Sequence, residues 1–365
     1  MNIKRNILLN PGPATTTDTV KAAQLVPDIC PREHEFGELM RAFGNDLLRV
    51  VHVTPEAWAT VLFCGSGTIA MDACVSSLVP ADGKLLIVNN GAYSARAAEM
   101  ARAYGVPHID LTFPIDGLPD LARVEQTLAA HPEITAVYTT HQETGTGILN
   151  PVREIGALAH AHGAICIADT ISTFAMIPID AAEMNIDALM SSAQKGIQGM
   201  TGLSFVLARK SVLDAAAHNP VRSYYTNLVM QYEGFEKTGE MRFTPPVQVV
   251  YAAKRALAEY FAEGETKKLA RHTRVMDAIH EGLESLGLEE AIPREIQSGL
   301  VAAVRYPDDP HFDFTRVHDY CYERGFTIYP GKMQTEKTFR LCALGAIDVP
   351  DIAAFFHVLE DAMKA

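Results

Sequence analysis

The chain has 365 residues, 48% of them hydrophobic and 21% charged, more than one hydrophobic core normally fills, so a large domain plus a smaller one is expected. No apolar run reaches the roughly 20 residues of a bilayer-crossing helix. The 44 acidic against 31 basic residues leave a formal net charge of -13 with no basic cluster, so neither a membrane nor a nucleic acid is expected as partner. The start, Met1-Asn2-Ile3-Lys4-Arg5-Asn6, leads into an apolar run of only Ile7, Leu8 and Leu9 before Asn10-Pro11, too short for a secretory signal, and a cytoplasmic protein is expected. Cys30, Cys64, Cys74, Cys166, Cys321 and Cys342 never form a close CxxC pair. They read as reduced thiols, mostly buried, with no metal site.

In chain order, short β-rich runs at 59–63, 84–88, 134–140, 164–168, 188–191 and 203–208 alternate with helical patterns. Several are apolar throughout, as strands buried on both faces are, and the rhythm predicts an α/β fold with a mainly parallel sheet covered by helices. From residue 249, Val249, Val250, Ala253, Ala256, Leu257, Tyr260 and Phe261 keep helical spacing. A second helix is predicted over about 267–286, ended by Gly287 in the left-handed conformation. A strand at 300–304, a helix at 313–324, a strand at 339–343 and a last helix after Pro350 then predict a small α+β domain. The predicted division is a large domain over 14–260 and a small one over 261–365 joined by residues 1–13.

Three places carry chemistry. Cys64-Gly65-Ser66-Gly67-Thr68 lies between a predicted strand and a helical stretch. Glycines let backbone N–H groups approach an anion, a helix N-terminus supplies partial positive charge, and two hydroxyls add donors. The turn is therefore either a phosphate cup or plain strand-to-helix structure, and it matches neither the dinucleotide fingerprint nor the P-loop. Asp169 ends an apolar strand, where open α/β sheets place ligand sites, or else caps the next turn. Lys195 follows after 195 - 169 = 26 residues, with no other charge in the preceding seven, a setting unlike the ordinary surface lysine. Pyridoxal phosphate suits all three, since it needs an amine to hold it, an anion to keep its pyridine nitrogen protonated, and a phosphate cup.

Asn10-Pro11-Gly12-Pro13, the Gly65–Thr68 turn, Asn90-Gly91-Ala92-Tyr93-Ser94-Ala95-Arg96, His141-Gln142-Glu143-Thr144-Gly145-Thr146-Gly147, Asp169 and Ser192-Ala193-Gln194-Lys195 stand in the order found in class V aminotransferases. The chain resembles that family over almost its full length. Within the family, Ser191-Ser192-Ala193-Gln194-Lys195-Gly196-Ile197-Gln198-Gly199, Arg242-Phe243-Thr244 and Ile328-Tyr329-Pro330-Gly331-Lys332 look most like the branch that transaminates 2-aminoethylphosphonate with pyruvate. The resemblance implies the fold type I of pyridoxal-phosphate enzymes, with a seven-stranded, mainly parallel sheet. It implies that Lys195 carries the cofactor and moves the proton, Asp169 pairs with the pyridine nitrogen, and Ser66, Gly67 and Thr68 cradle the phosphate. Tyr93 would stack on the ring and Thr144 would bond near its hydroxyl. Thr244 would complete the phosphate site of a neighbouring subunit, which implies a homodimer. Arg340 would grip the anionic group of the amine or keto-acid substrate.

Two departures stand out. The segment 28–36 differs from the aromatic and acidic stretch of many degradative members and offers Arg32, which either contacts the phosphonate or pairs with Glu33 or Glu35. Gly145 replaces a hydroxyl residue common in its loop. The competing readings are an alanine:glyoxylate or serine:pyruvate aminotransferase, a desulfurase-like lyase acting through Cys342, a nicotinamide oxidoreductase, and a pyridoxal-phosphate-binding protein without catalysis.

Overall fold

The computed structural model describes residues 5–333 and 336–364; residues 1–4 of the predicted small domain, with 334, 335 and 365, lie outside the described residues. Seven strands form the central sheet in the order Trp58–Gly65, Gly202–Arg209, Ala188–Ser192, Ile165–Asp169, Ile134–Thr140, Lys84–Asn89 and His108–Thr112. Gly202–Arg209 runs antiparallel to both its neighbours, and the other pairs are parallel. The mainly parallel sheet of seven strands is the one the sequence and its resemblance led us to expect.

Alternate residues of each strand feed opposite cores, as the two-residue period requires. Leu62, Leu189, Leu203, Phe205 and Leu207 pack on one face against Phe36, Met40, Phe43 and Leu47 of helix His34–Val50 and against helix Val247–Glu263. Val61, Phe63, Leu85, Ile87, Met190 and Val206 pack on the other face against helices Gly67–Ser77 and Ala92–Ala103. Burial on both faces is why these strands read as continuous apolar runs. The edge strand His108–Thr112 is the exception: it is half exposed and alternates Ile109 and Leu111 with polar residues, so a search for unbroken apolar runs passes over it.

In the tail, Val301–Arg305, Thr338–Cys342 and Tyr329–Pro330 form an antiparallel sheet. Helices Glu265–Ser285, Phe314–Glu323 and Val349–Lys364 cover it around Val275, Ile279, Val304, Leu341, Phe355 and Leu359. Gly287 takes φ +65° just past the first of these helices, as predicted for a left-handed cap. Ile7 and Leu9 join the same core, and Ile7–Leu8 pairs in parallel with Phe326–Thr327. No helix among the described residues is long and apolar enough to cross a membrane.

Candidate active site

The C-terminal ends of the parallel strands leave a cavity of about 150 Å³ lined by Ser66, Gly67, Thr68, Tyr93, Thr144, Asp169 and Lys195, together with Arg96, Thr140, Gln142 and Gln194. Seven of the residues singled out in the sequence thus meet around one space. Such an edge is where α/β sheets hold ligands, because the strand ends and helix starts point their polar groups there.

Ser66 stands just before helix Gly67–Ser77, so the turn offers a helix N-terminus to an anion. Arg96 reaches the same turn from helix Ala92–Ala103, its Nη1 donating to Thr68 Oγ1 at 3.3 Å. This guanidinium was not among the predicted site residues. Its position three residues after Tyr93, on the same face of a helix start, is the signal that identifies it. The helix itself is held by Glu143, a buried carboxylate that accepts from the Tyr93 N–H at 3.2 Å and from the Ser94 N–H and hydroxyl, each at 2.7 Å.

Asp169 ends its strand almost fully buried. It accepts from the Ile171 N–H at 2.9 Å and from the Tyr138 hydroxyl at 3.2 Å. Burial raises its pKa to about 6, the hydrogen bond from Ile171 opposing. A carboxylate in this condition gains from a cationic N–H partner, which replaces lost hydration.

Lys195 lies in the turn after strand Ala188–Ser192, its Nζ donating to the Pro11 carbonyl. Burial lowers its pKa to about 8; Arg340 and Lys332 add to that direction, while Cys342 and Asp169 oppose it. The amine is therefore partly neutral near physiological pH. Gly12 is required beside it: a Cβ there would stand 2.6 Å from Lys195 Cδ and Cε, and φ is +129°. The Lys195 turn is pinned on its other side by Lys268, whose buried Nζ donates to the Gly196 carbonyl at 2.5 Å.

Arg340, in strand Thr338–Cys342, is buried and donates from Nε to the Pro330 carbonyl and from Nη1 to the Thr144 carbonyl, both at 3.1 Å. It faces the loop of Thr144 from the tail. Arg32 does not join this group: its Nη1 pairs with Glu240 at 2.7 Å and donates to the Met241 carbonyl at 2.9 Å. It meets neither Glu33 nor Glu35, because it precedes helix His34–Val50 and turns back to the segment that follows Gly239. Thr244 is exposed and does not line the cavity of its own chain. It follows Phe243, which stacks on Tyr225 at 4.6 Å in a patch where Tyr224, Tyr225 and Met230 are exposed.

The residues present fit pyridoxal phosphate. Thr140 Oγ1, Gln142 Oε1 and Gln194 Oε1 are buried at the cavity without a hydrogen-bond partner among the described residues. Each such orphan costs about 1 to 3 kcal/mol; a bound polar ring can relieve them, its hydroxyl and protonated nitrogen donating to the amide oxygens and its oxygens accepting from the Thr140 hydroxyl. A lysine of lowered basicity, a buried acid and a helix N-terminus with an arginine stand around the same space.

Comparison with known proteins gives this arrangement its class. Residues 29–320 match the family described as "Aminotransferase class-V", and the chain belongs to that family, whose cofactor is pyridoxal phosphate. Its curated relatives include the 2-aminoethylphosphonate--pyruvate transaminase of Lactiplantibacillus plantarum, 37% identical over 358 residues, 97% of each chain. The protein of that name from Cupriavidus necator is 38% identical over 94% of this chain and 90% of its own. Among solved structures, the alanine--glyoxylate aminotransferase from Nostoc superposes with a TM-score of 0.90 at 24% identity, covering 100% of this chain and 96% of its own. That likeness shows the shared type I fold.

Proposed function

We propose that the chain transfers the amino group of 2-aminoethylphosphonate to pyruvate, giving phosphonoacetaldehyde and alanine, or runs the same exchange in reverse. The observation that carries this reading is likeness over nearly the whole chain to relatives bearing that name, at 37% and 38% identity. In this reading Ser66, Gly67 and Thr68 hold the cofactor phosphate, with Arg96 beside them. Tyr93 covers the ring, Thr144 bonds near its hydroxyl, and Asp169 keeps a proton on the ring nitrogen.

When bound, pyridoxal phosphate supplies a carbonyl that accepts the amino group and a ring that takes up electrons. Lys195 holds the cofactor until the substrate amine displaces it, and its neutral Nζ then takes the proton from the carbon bearing nitrogen. The lowered basicity of Lys195 fits that work, since a base titrating near 8 is available unprotonated around neutral pH. Arg340 binds the phosphonate in one half-reaction and the carboxylate of pyruvate in the other, its fork already oriented by the Pro330 and Thr144 carbonyls.

The division into a cofactor-holding part over 14–260 and a part over 261–365 with 1–13 that carries Arg340 belongs to the same proposal. So does a homodimer in which Thr244 serves the partner's phosphate site, supported by the exposed aromatic patch beside it. A cytoplasmic setting is supported by the absence of any disulfide among the described cysteines. The rival reading, an alanine:glyoxylate or serine:pyruvate aminotransferase, uses the same cofactor residues. Side-by-side turnover separates them. A kcat/KM for 2-aminoethylphosphonate with pyruvate at least about a hundredfold above alanine with glyoxylate and serine with pyruvate supports the proposal; the opposite order refutes it.

A further inference from the structure

The motif Ile328-Tyr329-Pro330-Gly331-Lys332 forms the edge beside Arg340. Tyr329 pairs with Arg340 across the antiparallel strands, and the Gly331 N–H donates to the Thr338 carbonyl at 2.6 Å. A side chain at Gly331 would run into Thr338 Oγ1, so the tight turn that delivers Lys332 needs glycine. Beyond that turn Lys332 Nζ stands 5.1 Å from the centre of the Tyr93 ring, which lines the cavity. Opposite, Gly145 leaves room: the nearest atom to a Cβ placed there would be Lys332 Cβ, at 3.5 Å. Glu336, the acidic residue nearest in sequence, is held by Arg305 at 2.7 Å, and Lys332 makes no ion pair with the described carboxylates.

Arg340 brings one charge, and two of its nitrogens are already committed to backbone carbonyls. One charge matches a carboxylate. A phosphonate resembles a phosphate monoester and carries between one and two negative charges near neutral pH, so it gains from a second cation. An ammonium on a long stem suits that task, because it acts as a point charge and needs no planar partner. We propose that Lys332 is a specificity-determining residue of this site, supplying the second cation that distinguishes a phosphonate from a carboxylate. The inference rests on the phosphonate reading given above. Lys332 also joins Arg340 in lowering the basicity of Lys195, after the larger effect of burial, which sets it electrostatically within reach of the reacting amine.

The test uses the holoenzyme and its Lys332→Met and Lys332→Arg variants. Lys332→Met raises KM for 2-aminoethylphosphonate about tenfold, the scale of one charge-assisted hydrogen bond at a half-open site. It leaves the KM for pyruvate within about twofold, and Lys332→Arg recovers most of the loss. Calorimetric titration with ethylphosphonate and with propionate gives a readout free of turnover: Lys332→Met weakens the first about tenfold and the second hardly at all. Equal loss for both anions, or none for ethylphosphonate, overturns the assignment. If wild-type enzyme binds ethylphosphonate through Lys332 yet does not turn over 2-aminoethylphosphonate, the substrate reading falls and the role of Lys332 stands. If it turns the substrate over and Lys332→Met changes nothing, only the role of Lys332 falls.

Discussion

Lys268→Met should stabilise this protein at neutral pH, although it removes a hydrogen bond. Lys268 is 3% exposed, donates to the Gly196 carbonyl and lies 5.1 Å from the Tyr260 ring. Its ammonium is poorly compensated, because Glu263 beside it is engaged by Arg271 at 2.7 Å. Burial lowers its pKa from 10.5 to about 7, with Arg271 acting in the same direction and Glu263 against it. Between those two values the unfolded chain binds the proton and the folded chain releases it, so stability rises with pH across that window. At about 1.4 kcal/mol per pH unit the full window is worth about 5 kcal/mol, nearly all of it a cost still present at pH 7. Methionine of similar length removes that cost and gives up about 1 to 3 kcal/mol for the stranded Gly196 carbonyl, leaving a net gain of about 2 kcal/mol. Urea unfolding of wild type and variant at pH 7, 8, 9 and 10 measures both terms, and their difference isolates Lys268 from Lys195, which titrates nearby. A variant less stable at pH 7, or a wild-type-minus-variant difference flat over the window, refutes the reasoning.

Gly12→Ala places a methyl group against the Lys195 stem at a backbone φ of +129°. It should lose the visible absorbance of the lysine-bound cofactor while the far-ultraviolet dichroism stays native, with about 1 to 3 kcal/mol of destabilisation by thermal melting. Cys342→Ala should keep transamination within about threefold, and neither it nor wild type should release sulfide from cysteine, because burial holds the Cys342 thiol protonated with a pKa raised to about 12; sulfide release that the substitution abolishes would restore the desulfurase reading. Asp169→Asn should lower kcat at least about a hundredfold. The same change should stabilise the cofactor-free protein by about 2 kcal/mol at pH 7: the folded pKa of Asp169 lies above its ordinary 3.8, so the ionised form is the costly one above about pH 6. Chemical denaturation without cofactor at pH 4 and pH 7 checks the sign, the gain vanishing at the lower pH.

Much of the framework was legible because burial on both faces of a parallel sheet demands unbroken apolar strands, and Asp169 and Lys195 stand out against them as polar residues at strand ends. The edge strand His108–Thr112 was hidden by its alternation, which half exposure permits. Arg96 and Glu143 stood inside motifs already singled out, yet their work depends on which way a helix start faces, and spacing within one segment does not state that. Arg32 shows the converse. Its neighbours in sequence, Glu33 and Glu35, looked like partners, but the chain returns Glu240 to it from 208 residues away. Lys268 could not be read at all, since a lysine on a helix between Lys267 and Leu269 has no local mark of burial.

The strand Ile7–Leu8 lies beside Phe326–Thr327, and the residues just after it bring the Pro11 carbonyl to Lys195 Nζ. During synthesis on the ribosome, all seven strands of the sheet have emerged once residue 209 is out, and the Ala14 N–H can by then donate to the Gln194 carbonyl, yet the parallel pairing of Ile7–Leu8 waits for residue 327. Closing so long a loop is slow compared with local pairing. The nascent chain therefore passes through a stage in which its sheet can fold while the strand leading to Pro11 is still unpaired, and the last third of the chain completes the setting of a lysine in the middle third.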